Sequence, residues 1–408
     1  MKARYFFYPF LFLFSVAMFA SCSLSVPKER DIIEDSAFRS VDLRIIEKTK
    51  GTVMSLGDLM ESYEIIRLDN RDEALIKTYP YGVYVTDNYI LLRPADVVSP
   101  VKLFTRKGRY VADIGGVGQG PGEYLYLFSW LVDEKENRIY LGPGRTDKVL
   151  VYDLKGNYLP DEVIRFGEIV HKSQIWVDYD KKNVVVVTLP FSANVNSNFA
   201  ISKNVCWVQN REGDIVHRIP VNHYGLIGDY SNALVARRNV DAISFSISEV
   251  PMLRTRPDTL YHYDAVKNII TPCFTIDHVV SENQSACTVL YETSRSYWAQ
   301  VTLYPNNLSS SVSSVRLPAF NVCVSKKDGN VRRIDRFTDP LLGLSHLFLM
   351  MNNGYICISY DPLELMDALD KVLTQTDLES DVRKRATDLR NSLHKNDNDI
   401  LIIGKLKQ

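Results

Sequence analysis

A short phrase that recurs along the chain constrains the fold more than any other feature of the sequence. It consists of an apolar strand, a polar turn that contains glycine or asparagine, and a second apolar strand. A tight turn needs a residue with positive φ, which glycine and asparagine adopt most readily. Each copy therefore predicts a β-hairpin. The five turn positions are Gly108, Gly156, Gly213, Asn268 and Gly329.

The spacing of these hairpins predicts the architecture. Successive turns are 48, 57, 55 and 61 residues apart, and several hairpins are preceded by a further apolar run such as Asn183–Val187. Runs that are apolar on both faces are typical of strands buried between sheets. Units of three or four antiparallel strands at this spacing favour a β-propeller over a sandwich. We predict an all-β, six-bladed β-propeller that forms one domain over residues 60–408.

The two ends of the chain are expected to supply the sixth blade. Tyr355–Tyr360 and Ile400–Leu406 are apolar strands near the C-terminus, and Tyr63–Leu68 is an early strand that can join them. Pairing the first strand with the last removes the open edge of a ring, and unpaired edges promote aggregation.

A helical segment interrupts this last blade at about residues 361–395. Asp361 can cap a helix, Pro362 suits the first helical position, and Glu364 is placed as in a capping box. Two apolar stripes with helical spacing follow. We predict a helical hairpin that packs on the disc, an interpretation favoured over a role in docking a partner.

The N-terminus predicts export. Lys2 and Arg4 precede an apolar run over Tyr5–Ala20, which is short for a spanning helix and ends before Ser21 and Cys22. This arrangement resembles the lipobox of bacterial lipoproteins, although Phe19 stands where leucine is usual. The resemblance implies cleavage after residue 21 and a lipid on Cys22. A secretory peptide cut near Ser21 and an uncleaved anchor are the alternatives.

The segment after the signal peptide predicts location. Residues 22–59 are interpreted as a tether and N-terminal extension. The tether lacks the acidic run that resembles a surface-export signal, so we expect a lipid-anchored protein of the cell envelope, in the outer membrane and facing the periplasm. Its membrane contact is then the N-terminal lipid.

Charge and residue counts exclude several classes of function. The chain has 48 basic and 49 acidic side chains, so nucleic acid is not an expected partner. Five cysteines besides Cys22 contain no C-x-x-C pair, and the seven histidines lack metal-binding spacing. We predict no metal site, cofactor or catalytic residue. A bridge between Cys273 and Cys287 is left open.

Two irregular segments, 221–259 and 291–304, are the candidate ligand-binding regions. Binding residues gather on loops that a rigid scaffold carries. Aromatic faces and arginine side chains suit sugars, carboxylates or a protein surface, so the ligand is expected to be an unidentified protein, small molecule or glycan. The alternative is that both segments are blade strands and Trp298 is part of the core. The candidate residues are Tyr224, Arg237, Arg238, Arg295, Tyr297 and Trp298.

A glycine-rich stretch over residues 113–124 has two interpretations. It superficially suggests a phosphate-binding loop, but that loop needs a helix after it, and Pro121 and Gly122 prevent one. We favour a structural loop that lets the backbone cross between blades, anchored by Glu123 and Tyr124. Its residues are Gly118, Gly120, Pro121, Gly122, Glu123 and Tyr124.

The same stretch resembles the G-x-G-x-G-P-G-E-Y signature of the six-bladed β-propeller lipoproteins of anaerobic gut bacteria. Similar phrases occur at Tyr63–Leu68, 149–156, 258–261 and 291–293. The resemblance implies the fold and lipoprotein export and carries no reaction. We therefore expect a ligand- or protein-binding module at the envelope, linked to outer-membrane nutrient uptake. The alternative is a periplasmic enzyme, a metal-assisted lactonase or lyase with its site at the central channel.

Overall fold

The computed structural model describes residues 38–407 with the exception of 97, 179–181, 194–200, 228–231, 239–242, 249–256, 278, 283 and 306–316, and of the side chains of 193 and 238. The predicted signal peptide, the lipidation site Cys22 and the first part of the tether lie outside the described residues.

Most secondary-structure elements of the described chain are strands. Five short elements come first: β1 (Arg39–Val41), α1 (Leu43–Ile46), β2 (Thr52–Ser55), α2 (Leu56–Leu59) and β3 (Glu64–Arg67). The next strands are β4 (Pro80–Val85), β5 (Tyr89–Pro94), β6 (Val101–Thr105), β7 (Tyr110–Ile114), β8 (Gly116–Val117), β9 (Glu123–Tyr124), β10 (Leu127–Asp133), β11 (Arg138–Pro143), β12 (Arg145–Tyr152) and β13 (Ile164–His171). They are followed by β14 (Gln174–Asp178), β15 (Asn183–Val187), β16 (Phe191–Ala193), β17 (Asn204–Asn210), β18 (Ile215–Pro220), β19 (Leu226–Ile227), β20 (Ala233–Arg238), β21 (Ile243–Ser248), β22 (Asp258–Asp264) and β23 (Ile269–Ile276).

The remaining elements carry the chain to its C-terminus. They are β24 (Val279–Ser281), β25 (Gln284–Glu292), β26 (Ser296–Pro305), β27 (Ala319–Ser325), β28 (Val331–Thr338), β29 (Ser345–His346), β30 (Met350–Asn352), β31 (Tyr355–Tyr360), α3 (Pro362–Leu373), α4 (Ser380–Asn391) and β32 (Ile400–Lys405). Single 3₁₀ turns lie at Asp72–Ala74, Pro160–Glu162 and Asn222–Tyr224.

The strands form a β-propeller, which confirms the predicted all-β fold. Five blades each consist of four antiparallel strands taken in chain order: β4 to β7, β10 to β13, β14-β15-β17-β18, β20 to β23, and β25 to β28. We call these the first to the fifth blade. The sequence predicted six blades, counting one formed by the two chain ends, whereas the structure shows five. The chain has five hairpin turns, and its two ends contribute the strands of the remaining sheet.

That remaining sheet, the closing sheet, has the order β3-β32-β31-β30. Its N-terminal strand pairs with the last strand of the chain, so that Ile66 lies opposite Leu401. The predicted pairing of the first and last strands is confirmed. Contacts between β31 and β4 place the closing sheet beside the first blade.

All five predicted turn residues have the positive φ on which the prediction of the hairpins was based. The φ angles of Gly108, Gly156, Gly213, Asn268 and Gly329 are +78°, +88°, +101°, +57° and +72°. The turn at Gly156 differs in one respect. Only a single bridge between Tyr152 and Tyr158 follows it, and β12 pairs instead with the later strand β13.

The N-terminal extension is packed against the outer rim from residue 39 onward. β1 pairs in parallel with β23 at the edge of the fourth blade, and β2 pairs in parallel with β28 at the edge of the fifth. These added strands cover backbone groups that an edge strand would otherwise expose.

The helical insertion lies where it was predicted, between β31 and β32. The Asp361 carboxylate accepts the Leu363 backbone N–H at 2.9 Å and caps α3. Leu365 and Leu369 of α3 and Ala386 of α4 are buried against residues of the fifth blade and the closing sheet. The apolar stripes of the two helices are thus used for packing on the disc.

The five cysteines in the described part of the chain are buried and free, so Cys273 and Cys287 do not form a bridge. No helix among the described residues is both long enough and apolar enough to cross a membrane.

Candidate functional site

A buried arginine marks the most unusual site in the described structure. Arg93 follows the apolar residues Tyr89–Leu92 in β5 and is only 5% exposed. Arginine is rarely buried to this extent without a compensating partner. Its position near the end of β5 brings it to the face of the disc where β4 and β10 begin, which we call the upper face.

Three aromatic rings surround the guanidinium of Arg93. Its Cζ atom lies 4.3 Å from the ring centre of Tyr81, 5.1 Å from that of Tyr126 and 5.6 Å from that of Trp130. Such distances allow cation–π attraction, which strengthens when the cation is desolvated. We call these four residues the Arg93 cluster.

The cluster joins the first two blades. Tyr81 belongs to β4, whereas Trp130 belongs to β10, and their rings meet edge to face at 6.2 Å. Between them lies Gly82, where a Cβ atom would stand 2.0 Å from the indole ring. The glycine therefore gives Trp130 the space to approach.

Two hydrogen-bond donors of the cluster have no partner in the described structure. They are Nη1 of Arg93 and Nε1 of Trp130, both inaccessible to solvent. Burial lowers the pKa of Arg93, against the opposing influence of Tyr126 and Tyr81. A buried donor without an acceptor costs about 1–3 kcal/mol, more when it is charged. The cluster is therefore suited to receive acceptor oxygens.

A narrow cleft of about 10 Å³, room for about one water molecule, reaches Arg93 from the upper face. Leu125, which lines the cleft, is 58% exposed, and Val98, in the loop that carries Asp96 and Ser99, is 76% exposed. Tyr79, 52% exposed, lies beside the cleft through the hydrogen bond from the Ala95 N–H to its carbonyl. The lining residues are Arg93, Pro94, Asp96, Ser99, Val101, Val117, Tyr124, Leu125, Tyr126 and Leu127.

One carboxylate also lines the cleft. Asp96 accepts the backbone N–H of Val98 at 2.9 Å and that of Ser99 at 2.5 Å. Although burial opposes ionisation, these hydrogen bonds lower the pKa of Asp96. The cleft thus contains one positive and one negative side chain.

The glycine-rich loop forms one wall of the cleft. The Tyr124 hydroxyl donates to the Ile114 carbonyl and accepts the Val101 N–H, both at 2.9 Å. The Glu123 carboxylate accepts the Gly120 N–H at 2.8 Å. Glu123 and Tyr124 therefore anchor the loop.

The glycines of this loop permit close approaches. Gly122 has a φ of +73°, and a Cβ atom there would lie 2.7 Å from the ring of Tyr158. At Gly118 a Cβ atom would lie 2.1 Å from the Glu123 carboxylate.

All three predicted ligand-binding aromatics are buried. Tyr224 packs edge to face on Tyr261 at 5.5 Å, in a core between the third and fourth blades. Tyr297 stacks on Phe274 at 5.6 Å. Trp298 is 1% exposed and stacks on Tyr291 at 6.2 Å. Their role as ligand contacts stays a prediction, and their burial favours the core interpretation.

Two of the three predicted arginines, Arg237 and Arg295, have described side chains. Arg237 lies over the Tyr291 ring at 5.0 Å, and burial lowers its pKa to about 10. Arg295 is exposed in the turn between β25 and β26. The side chain of Arg238 lies outside the described residues. Arg237 is thus joined to Trp298 through Tyr291, which stacks with both.

A second buried charge centre lies between the fourth and fifth blades. The Glu292 carboxylate is 2.7 Å from Nε2 of His262 and 2.6 Å from Nζ of Lys326. Although burial opposes ionisation, these partners lower the pKa of Glu292. Burial also opposes protonation of His262, but hydrogen bonds with Cys273 and Glu292 raise its pKa to about 10. These two ion pairs link the fourth and fifth blades.

Among the described residues, no three His, Cys, Asp or Glu side chains converge as a metal site would require.

The residues of the Arg93 cluster were absent from the sequence-based candidates. The local signal was a charged residue inside an apolar strand, Tyr89–Leu92 followed by Arg93. The aromatic partners lie on other strands, and no spacing in the sequence connects them to Arg93.

Comparison with known families decides the classification. The model of the family described as "Domain of unknown function (DUF4934)" matches residues 40–405, from β1 to β32. The chain belongs to the DUF4934 family. The description of this family names no activity, and no curated protein matches the sequence.

Two solved structures align with most of this DUF4934 protein. A protein from Bacteroides fragilis NCTC 9343, named "Putative exported protein", aligns with 91% of this chain and 100% of its own at 16% identity, with a TM-score of 0.58. A member of the DUF4221 family from Bacteroides vulgatus aligns with 86% of this chain and 97% of its own at 8% identity, with a TM-score of 0.41.

Proposed function

We propose that the protein is a lipid-anchored β-propeller that binds a ligand at the cell envelope, with the Arg93 cleft as its binding site. The observation that carries this function is Nη1 of Arg93, which is buried without a partner in a residue that lines the cleft. Water can satisfy such a donor, but a ligand with acceptor oxygens satisfies it while covering the apolar mouth.

The position of the cleft supports the same function. It lies at the upper face, where the loop after β5 and the glycine-rich loop before β10 meet. Loops carried by a rigid scaffold are the usual place for recognition. The hydrogen bonds of Tyr124 hold this wall in place without a ligand.

A ligand screen with a blocked cleft tests the proposal. Thermal denaturation is followed with small acids, neutral sugars and short peptides, because a ligand that binds the native state raises Tm. Ser99→Phe places a ring in the cleft. Ser294→Phe places the same ring at the exposed turn between β25 and β26 of the fifth blade. A shift seen in the wild type and in Ser294→Phe, but lost in Ser99→Phe, is expected. Shifts that survive in Ser99→Phe would place binding elsewhere.

The proposed anchor is the lipid on Cys22. It is supported by the basic start, the apolar run and the small residue before Cys22. The likeness in fold to a protein named as exported agrees with a location outside the cytoplasm. Cys22→Ala is expected to move the protein from the membrane fraction to the soluble fraction. If the variant still incorporates labelled lipid and sediments with membranes, the anchor is wrong.

The same proposal includes the resemblance to propeller lipoproteins of anaerobic gut bacteria and an outer-membrane position facing the periplasm. The glycine-rich loop, with Glu123 and Tyr124 as anchors, supports the resemblance. Protease treatment of intact cells tests the position, since a periplasmic protein stays uncut until the outer membrane is opened.

The closing sheet acts, in this proposal, as the sixth blade. It has four strands, as the five consecutive blades do, and β31 contacts β4 of the first blade. Deleting β3 together with the preceding residues is expected to expose β32 as an edge and to promote aggregation. Light scattering of the truncated protein measures this.

A further inference from the structure

We infer that a basic surface of the fifth blade docks on anionic phospholipid headgroups of the membrane that holds the lipid on Cys22. This inference rests on the proposed lipid anchor. Docking through this surface leaves the Arg93 cleft open to the aqueous phase. We call the surface the basic patch, and its residues are Arg295, Lys326, Lys327, Arg332 and Lys407.

Two neighbouring turns bring the basic patch together. Arg295 lies in the turn between β25 and β26, and Lys326 and Lys327 lie in the turn between β27 and β28. The Lys326 N–H donates to the Arg295 carbonyl at 2.9 Å and joins the two turns. A serine hydroxyl of the first turn donates to the Lys407 carbonyl at 3.5 Å. Arg332 follows the second turn in β28.

The basic patch carries more positive than negative charge at its surface. The Glu292 side chain beneath it is 1% exposed and pairs with Lys326 at 2.6 Å. Asp58 and Asp328 are the exposed carboxylates beside the five basic residues. The whole chain, with 48 basic and 49 acidic side chains, has no such excess. Clusters of about four to eight basic side chains next to a membrane anchor are typical of anionic lipid recognition.

The chain enters the described fold beside the basic patch. A Cβ atom at Gly329, in the turn between β27 and β28, would lie 3.4 Å from Nε of Arg39 in β1. The segment from Cys22 to residue 38 has about 17 residues and spans at most about 60 Å when fully extended. A lipid on Cys22 therefore holds the basic patch close to the bilayer. A lipid and a basic patch together bind a membrane more firmly than either signal alone.

The basic patch and the Arg93 cleft lie on different faces of the disc. β4 and β10 are the first strands of their blades and begin at the upper face, where the cleft opens. β25 is likewise the first strand of the fifth blade, so the turn that follows it, which contains Arg295, lies at the opposite face. A disc that docks through this turn presents the cleft to ligands.

Lysine acetylation, followed by mass spectrometry, tests the docking. The lipidated full-length protein is reconstituted in vesicles of phosphatidylcholine alone, or of equal parts phosphatidylcholine and phosphatidylglycerol. At about 0.1 M salt, Lys327 is expected to react at least about fivefold more slowly on the anionic vesicles. Salt at about 1 M should remove this protection, because it screens exposed charges. Lys155, exposed in the corresponding turn of the second blade, should react equally on both and serves as the internal control.

Substitutions in the basic patch test whether its charge is responsible. Arg295→Gln combined with Arg332→Gln leaves the probe lysine in place and is expected to remove most of the protection, since each basic residue near an anionic surface shifts the docking equilibrium by about fivefold. Lys107→Gln combined with Arg109→Gln removes two charges from the corresponding turn of the first blade and should follow the wild type.

A third variant keeps the inference testable if the double substitution does not fold. Asp328→Asn removes an opposing charge from an exposed turn. It is expected to strengthen the protection of Lys327, so that less phosphatidylglycerol gives the same effect. An unchanged requirement for phosphatidylglycerol would argue against electrostatic docking.

Four outcomes would overturn the inference. Equal acetylation of Lys327 on both kinds of vesicle leaves the anchor standing and removes the docking. Protection that persists at about 1 M salt, or in the variant without both arginines, assigns it to a contact other than charge. Protection in native outer membranes but not on anionic vesicles identifies an acidic protein or polysaccharide as the partner instead. A protein that joins neither kind of vesicle removes the lipid anchor together with the docking.

Discussion

Gly82 and Arg93 lie opposite each other in the β4–β5 ladder, and the glycine determines what surrounds the arginine. With no side chain at Gly82, the Trp130 ring of the next blade reaches the space beside the guanidinium. The cluster is therefore a product of contact between blades, and its geometry depends on the smallest residue in it.

Gly82→Ala is expected to displace Trp130 and to destabilise the protein. The added Cβ would stand 2.0 Å from the indole, and such overpacking typically costs about 1–3 kcal/mol. Urea unfolding measures the free energy, and tryptophan fluorescence reports the displaced ring. Gly167→Ala is the matched control, since a Cβ at Gly167 has no neighbour within 4 Å. Equal stability of the two variants would contradict the close packing of Trp130.

Tyr124→Phe is expected to loosen the glycine-rich loop. The lost hydroxyl accepts the buried Val101 N–H and donates to the Ile114 carbonyl. Leaving these groups unsatisfied costs about 1–3 kcal/mol. Tyr79→Phe removes a hydroxyl from a half-exposed ring and should have little effect. Chemical denaturation compares the two, and limited proteolysis shows whether cleavage begins at residues 115–122. A Tyr124→Phe protein as stable as the control would refute the anchoring role.

The hairpins were predictable because each depends on a local requirement. A residue with positive φ is needed at every turn, and the sequence places glycine or asparagine at all five. The pairing of β3 with β32 also followed from the sequence, since both ends carry apolar strands that need a partner. The total number of blades did not, because an apolar strand does not reveal which sheet it joins.

The site was not predictable in the same way. Tyr297 and Trp298 attracted attention as adjacent aromatics, but adjacent residues of a strand point to opposite faces, and β26 is buried on both. Tyr297 accordingly packs on Phe274 of the fourth blade, whereas Trp298 faces the core that contains Ile356 of the closing sheet. An aromatic-rich strand in a propeller therefore indicates packing between blades before it indicates a ligand.

The charge centre at Glu292 predicts how stability changes in alkali. The folded-state pKa of His262 is raised to about 10, above the value near 6.5 in an unfolded chain. The contribution of protonated His262 to the free energy of unfolding is therefore complete below pH 6.5. It is lost as the pH rises towards 10. His262→Gln is expected to cost about 1.5–3 kcal/mol at pH 6, and less at each higher pH.

Urea unfolding of the wild type and His262→Gln between pH 6 and pH 10 measures this difference. Glu292→Gln serves as the companion variant, because without the carboxylate the imidazolium loses the partner at 2.7 Å that raises its pKa. A difference between wild type and His262→Gln that stays constant over this range would show that the histidine does not titrate with its carboxylate.

The loss of stability at acidic pH depends on His346, a residue of β29 that is 6% exposed. Burial lowers its pKa to about 4, so the folded protein holds it neutral while the unfolded chain takes up a proton below pH 6.5. Stability is therefore expected to fall from pH 6.5 towards 4, by up to about 1.4 kcal/mol per pH unit for this group. His171, whose pKa burial also lowers to about 4, acts in the same direction. His346→Asn keeps a group that can hydrogen-bond the Tyr360 hydroxyl and removes the titration, so it should flatten the acid limb in denaturation curves. The exposed-site variant His394→Asn should follow the wild type. An acid limb as steep in His346→Asn as in the wild type would assign the loss of stability to other groups.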